Sequence, residues 1–168
     1  MADLGGIEAM VLGQLAGLQI EHEVLPCDPE LADTAAFCAH YGHPLDRSAN
    51  TIVVAARHEP GVACACVALA TCRLDVNHTI CALLGVRKAS FASPDQTREL
   101  TGMMIGGVTP FGLPDGLPLF IDAAVMDRET VILGGGSRSI KLRVAPAVLQ
   151  HVPGARVIEG LAVPAAAH

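Results

Sequence analysis

The chain has 168 residues, 51% of them hydrophobic, with a mean hydropathy of +0.45; that excludes a disordered chain and is enough for one domain with a sizeable core. It carries no Trp, one Tyr and four Phe, and its net charge is −6. So few aromatics argue against a stacking-based single-strand binder, and the acidic balance argues against a general nucleic-acid-coating surface or a DNA partner. Residues 1–60 hold nine acids against Arg47 and Arg57, whereas the remainder holds eight acids against nine bases. The bases cluster at Arg87-Lys88 and at Arg138, Lys141 and Arg143, where either a local phosphate contact or a solvated face fits.

Ile7, Met10, Val11, Leu15 and Leu18 recur at helical spacing and predict an amphipathic first helix. A short strand follows from His22 to Leu25. Asp33 or Thr34 caps a second helix that passes through Phe37 and Cys38 and stops near Gly42. Residues 51–56 and 62–69 read as strands joined by the turn His58-Glu59-Pro60-Gly61, and the second, apolar on both faces, belongs in the middle of its sheet. Asp75 caps a helix that stops at Gly85, a strand follows over residues 86–91, and Ser93-Pro94 opens a short helix. Strands near 117–121, 130–133 and 140–144 come next, then a helix from Pro146 and a strand at 156–158, with 162–168 expected to fray. This alternation predicts an α/β or α+β fold with a mixed sheet, one domain over residues 1–168.

The six cysteines, Cys27, Cys38, Cys64, Cys66, Cys72 and Cys81, sit mostly among apolar neighbours, which favours reduced core thiols over disulfides. A zinc site assembled from Cys64, Cys66, Cys72, His78 and Cys81 lacks paired C-x-x-C knuckles, and no metal is expected. The first residues carry Asp3 and Glu8 and no basic stretch, and the longest nearly apolar run, residues 61–72, is too short to span a bilayer. A cytoplasmic protein with no membrane partner is the expectation. The apolar excess is compatible with a full core or with a homodimer face.

The segment Gly106-Gly107-Val108-Thr109-Pro110-Phe111-Gly112-Leu113-Pro114 is too rich in Gly and Pro for a helix or a central strand. It reads as a stiff, shaped loop with accessible backbone N–H groups, suited either to close approach of a ligand or to an ordinary surface connection. There is no G-x-S-x-G elbow, and Gly134-Gly135-Gly136 lacks the P-loop lysine and reads as a tight turn. The seven histidines are scattered. Asp122, at the end of the strand Leu119-Phe120-Ile121, stands where either a functional carboxylate or a cap residue belongs.

In order along the chain, these motifs resemble the YbaK/prolyl-tRNA-synthetase-associated family of aminoacyl-tRNA deacylases. The resemblance covers roughly residues 20–160. It rests on Thr51-Ile52-Val53-Val54, the helix from Asp75 with Gly85-Val86-Arg87-Lys88 after it, Ala92-Ser93-Pro94-Asp95, Glu99-Leu100-Thr101-Gly102, the Gly106–Pro114 segment, Leu117–Asp122 and Gly134–Gly136. It implies a curled mixed sheet around a pocket that takes the aminoacylated 3′ end of tRNA and hydrolyses the ester of a small mischarged amino acid, as in Cys- or Ala-tRNA(Pro), without a cofactor. An aminoacyl-tRNA synthetase is the implied partner. Gly106, Gly107, Val108, Thr109 and Pro110 would form the catalytic loop, with Asp122, Lys88, Gly135 and Arg138 on the substrate side.

Two places depart from the family pattern. Asn50 stands where the resemblance places a lysine just before the Thr51 strand, and Asp75-Val76-Asn77-His78 replaces a second lysine-bearing stretch. An amide cannot supply an ammonium's charge. Lys88, Arg138 and Lys141 are the cations that could substitute, and the alternative is a member that binds aminoacyl-tRNA or a small ligand without efficient turnover.

Overall fold

The computed structural model describes residues 4–165. Helix α1 (Leu4–Gly17) is followed by β1 (Glu23–Pro26), a 3₁₀ turn at Pro29–Leu31, α2 (Thr34–Tyr41), β2 (Ala49–Ala56) and β3 (Ala63–Leu69). Next come β4 (Cys72–Leu74), a π turn at Val76–Ile80 running into α3 (Cys81–Leu84), β5 (Ala89–Phe91) and α4 (Pro94–Thr101). The chain finishes with β6 (Leu119–Asp122), β7 (Val131–Gly134), β8 (Ile140–Val144), β9 (Ala155–Ile158) and β10 (Ala162–Pro164).

These strands form a mixed five-stranded sheet in the order β5-β2-β3-β6-β9, an antiparallel sheet β1-β8-β7, and a small β10-β4 ribbon. As its unbroken apolar run requires, β3 is central, antiparallel to β2 and parallel to β6. Its side chains alternate between two cores. Ala65, Val67 and Leu69 join the larger cluster with Leu119, Ile121, Leu133 and Leu142, while Cys64, Cys66 and Ala68 join a second with Phe120 and Leu161. The thiols are therefore core residues: Cys27, Cys38, Cys64, Cys66 and Cys81 are buried, and all six are free. Among the described residues no three His, Cys, Asp or Glu side chains gather to hold an ion.

Local signals in the chain account for most boundaries. Gly42, Gly85 and Gly102 end their helices in the left-handed conformation. Ser93 and Gln96 form a reciprocal capping box on α4. Asp75 accepts from the Thr79 N–H and caps its helix, whose first turn is π-wound. Val11 and Leu15 of α1 are fully buried, with Ile7 and Leu18 packed beside them.

Four expectations differ from the structure. Met10 lies off the buried stripe and is exposed. The strand expected from Val86 begins only at Ala89, because the Val86 N–H closes the end of α3 on the Cys81 carbonyl, 3.0 Å. The helix expected from Pro146 is a 3₁₀ turn, Pro146–His151. The segment expected to fray is ordered as far as Pro164: Ala162–Pro164 pairs with β4, seated by the fully buried Leu161 and by the Ala162 N–H, which donates to the Asp122 carboxylate, 3.1 Å. Residues 166–168 lie outside the described residues. Among the described residues no helix is long and apolar enough to cross a membrane.

The seam between the two larger sheets positions the site. Ser48, just before β2, bridges in parallel to Ile132 of β7, so β2 of one sheet runs beside β7 of the other. Helix α2 packs over this seam through Phe37 and Cys38, which are buried with Cys27, Ala32 and Ile132.

Candidate functional site

At the seam lies a small recess, with a cavity volume of about 50 Å³. Its floor and walls come from Ser48, Asn50 and Thr51 of the β2 side, Ile132 and Gly134 of β7, and Lys141 of β8. Thr34 and Phe37 of α2 close one side, and Gly106 and Val108 close the other. Two neighbouring grooves share Thr51 and Gly106 with it and continue toward Ile105 and Phe91.

The Gly106–Pro110 segment is less exposed than its composition suggests: residues 107–110 are buried and only Gly106 is half-exposed. It is held by a second glycine loop, the β7–β8 turn at Gly134–Gly136, in backbone-on-backbone packing. The Gly136 N–H donates to the Gly107 carbonyl, 2.6 Å, and the Gly107 N–H to that of Met104, 2.9 Å. A Cβ at Gly107 would sit 2.5 Å from the Ser137 carbonyl oxygen, and Gly106 has φ +95°. Both positions thus require glycine, one for space and one for conformation. Helix α1 braces both loops: the Gly112 N–H donates to Gln14 Oε1, 2.6 Å, and the Ser137 hydroxyl donates to the Glu8 carboxylate.

Of the loop residues read as catalytic, Gly106 and Val108 line the recess, and among the described residues their N–H groups have no hydrogen-bond partner. Gly107, Thr109 and Pro110 face packing and support those two. Asn50 lines the recess, where its side-chain oxygen accepts a short hydrogen bond from the Thr34 hydroxyl.

The substrate-side residues scatter. Arg138 donates to the carbonyls of Ile105, 2.8 Å, and Pro29, 3.0 Å, and pairs with Asp33 at 3.7 Å, so it ties the rim together. Gly135 is buried beneath the turn against Ile140. Lys88 is exposed at the far end of β2: Ala89 pairs with Ala56, six residues along from Asn50, or about 20 Å of strand. Asp122 is buried two strands away and spends its carboxylate on β10.

Of the three candidate substitute cations, Lys141 alone lines the recess with Asn50. It is 5% exposed, and its ammonium donates to the carbonyls of Ala32, 2.5 Å, and Gly106, 3.0 Å. Its Nζ also lies 5.7 Å from the centre of the Phe37 ring. Burial pushes its pKa below the usual lysine value of 10.5; Arg138 pushes the same way, against Cys27, Asp33 and Cys38. Thr34, Phe37 and Ser48 had no local signal to mark them, since a strand pairing and a helix crossing bring them to the recess.

Fold and site together define a class: an α+β domain whose two sheets meet at a small polar recess walled by glycine-loop backbone. Residues 28–152 match the aminoacyl-tRNA editing domain. The chain belongs to the aminoacyl-tRNA editing domain family, whose class of chemistry is aminoacyl-tRNA deacylation. The crystal structure of hypothetical protein APE2540 superposes with a TM-score of 0.81 at 25% identity, over 92% of this chain and 99% of that one. That of a candidate trans-editing enzyme for prolyl tRNA synthetase superposes with a TM-score of 0.75 at 24% identity, over 90% of this chain and 94% of that one, a likeness of fold. A 59-residue stretch is 37% identical to the uncharacterized protein YwhH of Bacillus subtilis (strain 168), covering 35% of this chain and 38% of that protein.

Proposed function

We propose that this chain is a trans-editing aminoacyl-tRNA deacylase that hydrolyses the ester joining a small mischarged amino acid to the 3′-terminal ribose of tRNA, in the cytoplasm and alongside a synthetase. Water attacks the ester carbonyl carbon, the bond to the ribose oxygen breaks, and free amino acid and a free ribose hydroxyl result. The observation that carries this reading is that Gly106 and Val108, whose N–H groups have no hydrogen-bond partner among the described residues, both line the recess. Fixed donors of this kind stabilise charge developing on a carbonyl oxygen, and the ester is already activated, so placement supplies much of the rate. Arg138 and Lys141 hold the Ile105 and Gly106 carbonyls, which keeps the loop in one conformation without reorganisation during the reaction. The amino-acid side chain enters the recess, whose small volume sets an upper size limit.

One observation favours a second reading, a member that binds its ligand without efficient turnover: Asn50 brings an amide, tied to Thr34, to the position where an ammonium is expected. Deacylation of one tRNA(Pro) body mischarged with alanine, cysteine or serine, by native protein and by Asn50→Lys side by side, separates the two. Turnover by the native protein is the expected outcome. Activity confined to Asn50→Lys would establish the binding reading, and activity in neither would remove the deacylase.

A further inference from the structure

Lys141 is a buried ammonium without a buried counter-charge. It is 5% exposed, and lysines so buried are nearly always paired with a carboxylate. Among the described residues it forms no ion pair. The charged and titratable groups around it are Arg138, Asp33 and the thiols of Cys27 and Cys38, and Asp33 is paired to Arg138 with its side chain mostly exposed. Neutral partners hold the ammonium instead: the carbonyls of Ala32 and Gly106 and the face of Phe37. Two of its three donors are spent and one is left. An isolated charge is costly to bury, and this one belongs to a residue that lines the recess. The negative charge that balances it is therefore one that a ligand brings or develops.

We infer that Lys141 supplies the positive charge that stabilises the anionic tetrahedral intermediate of ester hydrolysis, acting through its field rather than through a fixed contact. The inference rests on the deacylase reading and names a residue for its charge-bearing step. In that step water adds to the ester carbonyl carbon and releases a proton to solvent, while the carbonyl oxygen takes the electron pair of the double bond. Collapse restores the double bond and expels the ribose oxygen, which takes up a proton. Negative charge thus appears on one oxygen and is absent from the ester before it. The Lys141 ammonium lies 3.0 Å from the carbonyl oxygen of Gly106, which also lines the recess. One residue's span and one hydrogen bond put an oxygen held by the Gly106 N–H no farther than about 9 Å from that ammonium. At an effective dielectric constant of about 20, a unit charge at that distance favours an anion by about tenfold or more.

The test compares two adenosine analogues that differ in charge at the reacting position: 3′-acetamido-3′-deoxyadenosine, neutral and planar, and adenosine 3′-methylphosphonate, anionic and tetrahedral. The native protein is expected to bind the phosphonate tighter by about tenfold or more. Lys141→Gln keeps two amide donors for the Ala32 and Gly106 carbonyls but removes the charge, and should bring the two affinities together. Adding Asn50→Lys to Lys141→Gln returns an ammonium to the recess from β2 and should restore the difference. On a mischarged tRNA, kcat should fall by about tenfold or more in Lys141→Gln with KM little changed, since the charge acts on the transition state and not on the neutral ester. Equal or absent binding of the two analogues by native protein would overturn the inference, whether or not the variant folds. An equal loss for both analogues in Lys141→Gln would do the same and reduce Lys141 to a support for Gly106, with Lys141→Met as the second neutral variant if Lys141→Gln fails to fold. A loss confined to KM on tRNA would assign Lys141 to a backbone phosphate and leave the deacylase standing. Should no tRNA be hydrolysed, the deacylase falls, and the analogue affinities still decide whether Lys141 makes the recess select an anion.

Discussion

Two buried charged side chains stand in different parts of the molecule and do opposite things. Asp122, 2% exposed, closes β6 and accepts the Ala162 N–H, so its charge is spent on the fold. Lys141 is equally buried, yet it reaches a cavity wall, holds the Gly106 carbonyl and keeps a donor in reserve. A charge at the end of a strand looks functional in a sequence, and one inside the central strand of a sheet, as Lys141 is in β8, does not; the surroundings reverse both impressions. What separates them is whether neighbouring backbone exhausts the group's hydrogen bonds.

The sharpest way to break that contrast is at the backbone that holds the recess. A Cβ at Gly134 would collide with the Val108 carbonyl oxygen, which is main chain and cannot swing aside. Gly134→Ala should therefore push the two glycine loops apart, cost about 1–3 kcal/mol or more and abolish deacylation. Urea melts alongside turnover check this, and native-like activity would show that the loop contact is dispensable. Asp122→Ala should instead strand a buried N–H at Ala162 and cost about 1–3 kcal/mol, leaving kcat/KM within about twofold, a change of about 0.4 kcal/mol. Asp122→Asn keeps an acceptor for that N–H and should recover most of the stability. A large loss of activity at unchanged stability would return Asp122 to the site.

The same contrast explains what the sequence made legible. The helix stops read at Gly42 and Gly85, and the helix start at Ser93-Pro94, are local signals, and each is where the chain says it is. The central place of β3 follows from its apolar run, because a strand buried on both faces can only be interior. The ordered set of glycine and proline motifs led to the family. The recess was only half legible. Gly106, Val108 and Asn50 carry motif signals, but Thr34, Phe37 and Ser48 arrive through the Ser48–Ile132 bridge and the crossing of α2. No local pattern encodes those long-range events. Lys88 and Lys141 looked equivalent as isolated cations; the alternation along β8 and the pairing of β5 with the end of β2 separate them by environment.

The titration of Lys141 gives a smaller test. Its folded-state pKa lies below the ordinary 10.5, chiefly through burial. Between that lowered value and 10.5 the unfolded chain binds more protons than the folded one, so this group makes stability rise with pH across that window. Arg138, Asp33, Cys27 and Cys38 face it. Burial raises the Cys27 pKa above 9.0, which works in the opposite sense as pH climbs past 9.0, but that thiol is present in both proteins when native chain and Lys141→Met are compared. Urea unfolding from pH 7 to pH 10 should therefore show the native protein gaining on Lys141→Met as pH rises; parallel profiles would mean that burial leaves the lysine unperturbed.

The smallest effect is expected at Lys88, which shares its charge and its motif-based candidacy with the site but not its surroundings. It is exposed, it lies next to the Ala56–Ala89 pair, and the recess is at the other end of β2. An exposed lysine that far away is screened from the recess by solvent at physiological salt. Lys88→Ala should change stability by no more than about 0.5 kcal/mol and leave deacylation of a full-length tRNA within about twofold, near 0.4 kcal/mol. A larger loss on full-length tRNA, with hydrolysis of a short aminoacylated acceptor-stem mimic unchanged, would make Lys88 a distant contact to the tRNA body. In that case the site's reach would extend along the whole of β2, and the division between a charged recess and an idle far end would fail at this residue.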